Sequence, residues 1–331
     1  MVLNFGIIGT SWITHSYIEC AQATQKWNLA AIYSRKEDSA KEFASKYEGQ
    51  KIELYTDLDK FYADSNLNAI YIASPNILHY EQAKAALEAG KHVILEKPSC
   101  STSEELDELF ALSKSKGLFL IEAWRHIQEA NFKILKESIS KIGRVIGASI
   151  TFCQFSSRYD AVLRGEVPNI FNLEMGGGAL VDMGCYTVAA AVWLFGAPKD
   201  AHYYPVIVST GADGGGILTL QYEGFTVHLS SSKMHTSDAP SEIYGEKGSL
   251  IVPSITDIEK VTLSDPRTKK REELGTKKED LNLKEEAAEQ ARIIAEKDWK
   301  AAGELEAHSR AVLKVLQKVR KDNGLLFPGE K

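Results

Sequence analysis

The N-terminal segment reads Phe5-Gly6-Ile7-Ile8-Gly9-Thr10-Ser11-Trp12-Ile13-Thr14. Apolar residues up to Ile8 predict a buried strand, and a helix is expected to open shortly after Gly9. A tight turn between them leaves backbone N–H groups at a helix N-terminus, where they can bind a pyrophosphate. The glycine pattern is incomplete, because Ser11 and Thr14 stand where a G-x-G-x-x-G motif has its second and third glycines. On its own the motif also fits an ordinary strand–helix turn.

The first 122 residues alternate between short apolar runs and helical segments, which strengthens the interpretation of this turn. Segments with helical spacing cover Ile77–Ala89 and Ser103–Lys116. Such alternation is typical of βαβ units and a parallel sheet, so residues 1–122 are predicted to form a doubly wound Rossmann domain. The apolar runs are Val2–Gly9, Leu29–Ser34, Ala69–Ala73, His92–Leu95 and Leu118–Glu122.

The pattern changes after residue 122. Helices are predicted over Glu129–Ser140, Leu180–Leu194, Leu283–Lys297 and Glu304–Arg320. Residues 123–331 are therefore predicted to form a second, α+β domain with an open, mostly antiparallel sheet. Its strands are expected at Val145–Phe155, Ile217–Tyr222, Phe225–Ser231, Ser241–Tyr244 and Leu250–Val252.

Bulk composition excludes several classes of protein. The 331 residues carry a formal net charge of −6 without a concentrated basic surface, so no nucleic-acid partner is expected. The N-terminus lacks the features of a signal peptide, and no run of about 18 apolar residues predicts a membrane span. The four cysteines are dispersed, which favours reduced thiols and a cytoplasmic location. The scattered histidines predict no metal site.

The end of the second strand carries information on cofactor choice. It reads Ile32-Tyr33-Ser34-Arg35-Lys36, where an NAD site usually has Asp or Glu for the ribose 2′-hydroxyl. A hydroxyl followed by a basic group favours NADP over NAD. The alternative is that Arg35 and Lys36 are a solvated helix start, with Glu37 and Asp38 diluting their charge.

Lys97 follows another predicted strand, in the run Val93-Ile94-Leu95-Glu96-Lys97-Pro98. Ligands of open α/β sheets bind at the carboxyl ends of the strands, so Lys97 is expected to face the nicotinamide. Taken alone, a lysine at a strand end is more often a solvated surface residue. Here the chain resembles the Gfo/Idh/MocA oxidoreductase family over nearly its whole length. The resemblance rests on Gly6-x-x-Gly9, Ser74-Pro75-Asn76 with His79, Ala89-Gly90-Lys91-His92-Val93 leading into Glu96-Lys97-Pro98, Gly177-Gly178-Ala179-Leu180-x-Asp182-x-Gly184, Gly245-Glu246-Lys247-Gly248 and Phe327-Pro328.

The resemblance implies a nicotinamide cofactor, a catalytic Lys97 and a cis peptide bond before Pro98. It also implies that the outer face of the C-terminal sheet forms an interface, so a homodimer or a dimer of dimers is expected. Trp124 and Arg125, just after the last Rossmann strand, are expected to line the cleft. The full set of cofactor-binding residues is predicted as Gly9, Ser11, Trp12, Ile13, Ser34, Arg35, Ser74, Pro75, Asn76, His79, Glu96, Lys97, Trp124 and Arg125.

Asp182 and Tyr186 are four positions apart at the start of a predicted helix, so both are expected on one helical face. Many family members have His where Tyr186 stands, and the tyrosine resembles the dihydrodiol dehydrogenase and glucose–fructose oxidoreductase branch. Carbonyl reduction needs a positioned acid. The resemblance implies Tyr186 as proton donor, assisted by Lys97, and Asp182 as ligand of a substrate hydroxyl. Two alternatives stay open: Lys97 as the donor itself, and purely structural roles for Asp182 and Tyr186.

The sequence thus predicts an NAD(P)-dependent oxidoreductase that transfers a hydride between nicotinamide and a small-molecule substrate. The substrate class is a sugar, polyol, diol or related carbonyl compound. A non-catalytic dinucleotide-binding sensor is the alternative, and a scaffold protein would leave Lys97 and Asp182 unexplained.

Overall fold

A computed structural model describes residues 2–330 of the chain. It contains two compact units. The first comprises Met1–Ala123 and Leu281–Ala307, and the second comprises Trp124–Asp280 and His308–Lys331. The outermost positions of the two predicted domains, Met1 and Lys331, lie outside the described residues.

The first unit is built on a six-stranded, wholly parallel sheet in the order β3-β2-β1-β4-β5-β6. This order is that of a doubly wound Rossmann sheet and confirms the predicted fold class. The short edge strand β3 was not predicted. The strands are β1 (Leu3–Ile8), β2 (Trp27–Tyr33), β3 (Glu53–Tyr55), β4 (Ala69–Ile72), β5 (His92–Leu95) and β6 (Leu120–Glu122).

Helices connect these strands and cover the sheet. Every residue of β4 is buried, as expected for a parallel strand that is covered on both faces. The helix after β5 begins at a capping box, in which Thr102 and Glu105 satisfy each other's backbone N–H groups. The helices are α1 (Trp12–Ala23), α2 (Glu37–Ala44), α3 (Leu58–Tyr62), α4 (His79–Glu88) and α5 (Ser103–Ser115).

The second unit is built on an eight-stranded sheet in the order β14-β13-β12-β11-β7-β10-β9-β8. All neighbours pair antiparallel except β10 and β7, which confirms a mostly antiparallel sheet. Strands β8, β13 and β14 were not predicted. The strands are β7 (Val145–Cys153), β8 (Asp200–Ile207), β9 (Asp213–Tyr222), β10 (Phe225–Ser232), β11 (Ser241–Gly245), β12 (Ser249–Val252), β13 (Thr262–Ser264) and β14 (Arg271–Glu273).

Four helices of the second unit precede or interrupt its sheet. The last of them follows a π-helical turn, Leu180–Gly184, in place of the continuous α-helix expected there. The helices are α6 (Arg125–Gln128), α7 (Ala130–Ser138), α8 (Ser157–Leu163) and α9 (Cys185–Phe195).

Two C-terminal helices follow, α10 (Lys284–Glu296) and α11 (Trp299–Asp322). Helix α10 belongs to the first unit, where it packs on α1. The Tyr17 hydroxyl donates to Gln290 Oε1 at 2.8 Å, and the Trp27 indole N–H donates to the Ala287 carbonyl at 2.8 Å. The chain therefore returns to its first unit near the C-terminus, which no local pattern in the sequence indicates.

Among residues 2–330, one stretch is long and apolar enough to cross a membrane by length and composition. It spans Leu173–Phe195 and includes α9. Most of it is buried inside the protein, as in the core helix of a globular domain.

Candidate active site

The turn after β1 has the tight geometry predicted for Gly9. Its φ is +106°, and a Cβ at this position would lie 2.4 Å from the Ala73 carbonyl oxygen, so only glycine fits. Ser11 caps α1 in extended conformation, but its side chain makes no capping hydrogen bond. The turn thus presents backbone N–H groups and an exposed serine hydroxyl at the positive end of a 12-residue helix.

The predicted cofactor residues Trp12 and Ile13 form the first turn of α1. Trp12 is 76% exposed, which is unusual for so large an aromatic side chain. Ser74, Pro75 and Asn76 lie just beyond β4, one residue after its end, and β4 is the neighbour of β1 in the sheet. The segments after β1 and β4 therefore meet at the carboxyl ends of adjacent strands, where the strand order reverses and ligands of such sheets bind.

The end of β2 carries an uncompensated positive charge. The backbone of Ser34 is held by a hydrogen bond, which its N–H donates to the Tyr55 carbonyl at 3.0 Å. Arg35 is exposed, and its side chain forms no ion pair with any residue that the structure describes. Glu37, which could have neutralised it, pairs instead with Lys41 at 2.7 Å. Glu37 therefore does not neutralise the Arg35 charge, contrary to the alternative considered from the sequence.

The loop that carries Lys97 is held by side chains from three other elements. The peptide bond between Lys97 and Pro98 is cis, as the family resemblance implied. The Tyr71 hydroxyl donates to Glu96 Oε1 at 2.7 Å, and Glu122 Oε1 accepts the Ser99 N–H at 2.7 Å. This bracing fixes the backbone on both sides of Lys97, so its position at the strand end is well defined.

His79 is the third brace of this loop, and its predicted contact with a cofactor stays a prediction. The imidazole is fully buried, with Nδ1 3.0 Å from the Pro98 carbonyl oxygen and Nε2 2.9 Å from that of Ser74. Burial lowers the pKa of His79, and the nearby Lys97 charge adds to that effect against the two carbonyl contacts. A buried ring between two carbonyl groups ties the loop after β4 to the loop after β5.

In the second unit, Tyr186 lies among aromatic rings. Its ring centroid is 5.2 Å from that of His126, 5.6 Å from that of Phe152 and 6.3 Å from that of Trp124, all edge to face. Trp124 is only 2% exposed. Trp124 therefore packs against Tyr186, and its contact with a cofactor stays a prediction.

Arg125 is the charged neighbour of Tyr186. Its guanidinium carbon is 5.9 Å from the Tyr186 ring centroid, and the two side chains share a hydrogen bond. Glu129 holds the other side of the guanidinium at 3.4 Å. Burial raises the pKa of Glu129 to about 7, although the Ile258 N–H and the Arg125 charge act in the opposite direction. No spacing rule in the sequence connects Arg125 with Tyr186, so this contact was not predicted.

Asp182 lies in the π-helical turn, whereas Tyr186 lies in the first turn of α9. The expectation of one shared α-helical face assumed a regular helix through both positions. Asp182 Oδ2 is 2.5 Å from Lys233 Nζ, a residue that the sequence analysis did not single out. The Asp182 side chain is 44% exposed, so a carboxylate that is anchored at one side remains accessible to a ligand.

The backbone before Asp182 is shaped by a second carboxylate. Asp213 is buried and accepts hydrogen bonds from the Leu180 N–H at 2.6 Å and the Tyr203 hydroxyl at 2.8 Å. Gly178 has a φ of +140°, and a Cβ there would lie 2.3 Å from Asp213 Oδ1. Burial raises the pKa of Asp213, while these hydrogen bonds and the charge of Lys233 oppose the rise.

These features define a class of protein. A Rossmann sheet with a glycine turn at its switch point and a braced lysine at a strand end is the arrangement of a nicotinamide-dependent oxidoreductase. Groups of three or more potential metal ligands do not occur among residues 2–330.

Comparison with known proteins agrees with this class. Residues 3–123 match the oxidoreductase family with an NAD-binding Rossmann fold, and residues 133–251 match the GFO/IDH/MocA C-terminal domain. The chain belongs to the GFO/IDH/MocA family of NAD(P)-dependent oxidoreductases.

Two full-length relatives and one solved structure illustrate the relationship. The scyllo-inositol 2-dehydrogenase (NADP(+)) of Bacillus subtilis is 37% identical over 99% of both chains. An uncharacterized oxidoreductase of Escherichia coli is 34% identical over 99% of both chains. The 3-ketoreductase KijD10 of Actinomadura kijaniata, solved with NADP and TDP-benzene, has a TM-score of 0.81 at 23% identity over 97% of this chain and 98% of its own. At that identity the last comparison shows the fold alone. None of these relationships favours a non-catalytic sensor.

Proposed function

We propose that this enzyme is an NADP-dependent dehydrogenase that oxidises a secondary hydroxyl group of a cyclic polyol, with an inositol as the first candidate. The proposal rests on one observation, the similarity over 99% of both chains to a scyllo-inositol 2-dehydrogenase that uses NADP(+). The accessible carboxylate of Asp182 supports a substrate rich in hydroxyl groups, because an ionised carboxylate can only accept hydrogen bonds.

The proposed preference for NADP over NAD is supported by the end of β2. Arg35 is exposed and unpaired among the described residues, and Ser34 offers a hydroxyl beside it. A guanidinium suits a 2′-phosphate because it can donate two parallel hydrogen bonds to one oxyanion. Positions 34 and 35 carry Ser and Arg, so neither offers a carboxylate that could accept a hydrogen bond from the 2′-hydroxyl of NAD.

The residues around Gly9 fit a dinucleotide. A side chain at Gly9 would collide with Ala73, so the tight turn requires glycine, and Ser11 and the first turn of α1 would hold the pyrophosphate. Ser74, Pro75 and Asn76 would border the nicotinamide half. When bound, the nicotinamide accepts or supplies the hydride.

The chain's own residues would handle the proton and orient the substrate. We assign Tyr186 to take the proton of the reacting hydroxyl during oxidation and to return it during reduction. A neighbouring positive charge favours ionisation of a tyrosine, and Arg125 supplies one within the same unit. Lys97 is assigned to bind the reacting oxygen, and Asp182 to accept a hydrogen bond from a second hydroxyl.

We further propose a homodimer or a dimer of dimers that forms through the outer face of the C-terminal sheet. Tyr204 and Ile217 pair across β8 and β9, and both are more than half exposed at 66% and 53%. Val206 extends this apolar strip on the same face of β8. Exposed apolar residues grouped on one sheet face are typical of an interface. The four free, buried cysteines support a cytoplasmic location.

A substrate screen tests the proposal. The purified enzyme is incubated with scyllo-inositol, myo-inositol, D-xylose or trans-1,2-cyclohexanediol and either NADP+ or NAD+, and the reduced cofactor is followed by absorbance. Lys97→Met, purified in parallel, controls for contaminating dehydrogenases. We expect the highest kcat/KM for an inositol with NADP+. Oxidation of D-xylose or the diol without oxidation of either inositol would overturn the polyol assignment. Tight NADP+ binding without turnover of any compound would favour the sensor.

A further inference from the structure

Lys233 is a buried cation to which the proposed reaction assigns no step. It follows β10 directly and is 1% exposed, a burial that lysine almost never has unless it is paired. Its ammonium lies 2.5 Å from Asp182 Oδ2 and 5.4 Å from the ring centroid of Phe171. Its backbone is fixed as well, because its N–H donates to Gly214 O at 2.9 Å and its carbonyl accepts the Ser156 N–H at 2.9 Å.

Two carboxylates, Asp182 and Asp213, interact with the Lys233 ammonium, and they differ in their other contacts. Asp213 also feels the Lys233 charge, but its carboxylate is already engaged by the Tyr203 hydroxyl and the Leu180 N–H. Asp182 is the carboxylate that forms the ion pair with Lys233. The pair is asymmetric in burial, since the lysine side chain is 2% exposed and the aspartate side chain 44%. One partner is thus fixed in the core while the other reaches outward.

We infer that Lys233 is a positioning residue that holds Asp182 in place as an ionised, acceptor-only carboxylate for a substrate hydroxyl. This inference rests on the proposed function of Asp182 as a substrate ligand. This role explains why Lys233 is buried next to Asp182, an aspartate that is accessible to solvent. A positive charge beside a carboxylate favours its ionised form, and the contact with Lys233 holds one oxygen of a side chain that is 44% exposed.

Two expected effects distinguish the positioning of Asp182 by Lys233 from a purely structural role of Lys233. Without Lys233, Asp182 loses its orientation while Lys97, Tyr186 and the cofactor residues are unchanged, so substrate binding should suffer far more than the cofactor affinity. Without Asp182, the buried ammonium loses its ion-pair partner, which is destabilising. Removing both residues takes away that buried charge as well.

The kinetic experiment uses Lys233→Met, Lys233→Arg, Asp182→Asn and the double variant Asp182→Asn/Lys233→Met. The substrate is scyllo-inositol, or whichever polyol of the screen the wild type oxidises. We expect Lys233→Met to raise KM by roughly 10- to 100-fold, the range for losing a charge-assisted hydrogen bond, with a much smaller change in kcat. Lys233→Arg should recover part of the loss because it restores the charge. The double variant should have the same kcat/KM as Asp182→Asn.

Cofactor titration and a matched control complete the kinetic test. The NADP+ dissociation constant should be unchanged in Lys233→Met, which also establishes that the variant is folded. Lys199→Met is the control, because Lys199 forms an exposed ion pair with Glu223 in the same unit and should show wild-type kinetics. A fall in kcat with unchanged KM, or losses that multiply in the double variant, would overturn the inference.

A thermal unfolding series tests the pair without any substrate. Asp182→Asn should unfold at a lower temperature than the double variant, although the double variant carries one substitution more. If Asp182→Asn is as stable as the wild type, or if the double variant is the least stable of the set, the buried pair does not act as inferred. Should the wild type oxidise no polyol, the proposed function fails, while this comparison still supports or overturns the pairing.

Discussion

Replacing Arg35 by alanine should remove most of the proposed preference for NADP over NAD. Arg35 is exposed at the end of β2 and makes no ion pair with the residues that the structure describes. A hydrogen bond to a charged group contributes about 1.5–3 kcal/mol, and the lower end applies to an exposed side chain. About 1.5 kcal/mol corresponds to roughly a tenfold change in dissociation constant. We therefore expect NADP+ to bind roughly tenfold more weakly to Arg35→Ala, with NAD+ affinity unchanged.

Calorimetric titration of both cofactors against the wild type, Arg35→Ala and Arg35→Asp measures this ratio. The aspartate variant should move further toward NAD+, because it repels a 2′-phosphate and can accept a hydrogen bond from a 2′-hydroxyl. Raising the salt concentration should weaken NADP+ binding by the wild type more than by Arg35→Ala, since salt screens exposed charges. Arg144→Ala is a matched control, as this exposed arginine pairs with Glu246 in the second unit.

The reasoning would be refuted by equal or stronger NAD+ binding in the wild type. It would also be refuted if Arg35→Ala weakened both cofactors equally, because that would make Arg35 a contact for the shared part of the dinucleotide. The variant should unfold at the wild-type temperature, since the Arg35 side chain is exposed and unpaired within the described part of the chain.

Three further predictions concern chemistry, pH and assembly. Lys97→Met should lower turnover by about 10²–10⁴-fold and leave the NADP+ affinity near normal. In steady-state kinetics, Tyr186→Phe should lower turnover equally if Tyr186 is the proton donor. It should lower turnover less if Lys97 is the proton donor. Burial raises the pKa of Glu129 to about 7, so its contribution to stability is complete below its unfolded pKa and is lost as pH rises toward 7. Glu129→Gln should therefore flatten the decline in unfolding free energy over that range in denaturant titrations, and an unaltered pH dependence would contradict this. Light scattering should give a dimer or tetramer for the wild type and a smaller species for Ile217→Asp, whereas a wild-type monomer at micromolar concentration would rule out the proposed interface.

The parts of the fold that sequence predicts well are those with strong local signals. The buried strand β5 was predicted with its observed bounds, His92–Leu95, because a short apolar run between a helix-ending glycine and a proline has few other interpretations. Strand β3 was missed because its three residues are exposed or half-buried, so they carry no apolar run. Strand β8 was missed for a related reason, since Pro205 and exposed residues interrupt the pattern in an edge strand.

The candidate site divides in the same way. The turn at Gly9 and the strand end at Lys97 follow from local patterns, because both features depend on residues that are adjacent in the sequence. The contacts of Lys233 with Asp182 and of Arg125 with Tyr186 join residues far apart in the sequence. The burial of His79 and Trp124 depends on tertiary packing, so no local pattern in the sequence indicates it, and their contact with a cofactor stays a prediction.

The return of α10 to the first unit has a consequence for how the chain matures on the ribosome. Tyr17 and Trp27 can form their hydrogen bonds to Gln290 and Ala287 only after a further 273 and 260 residues have been synthesised. The Rossmann sheet therefore leaves the exit tunnel with one of its flanking helices missing, and apolar surface stays exposed until α10 has emerged. A fragment that stops after Ala123 contains every strand of the nucleotide-binding sheet, yet it lacks that last covering helix and should be a substrate for chaperones and proteases.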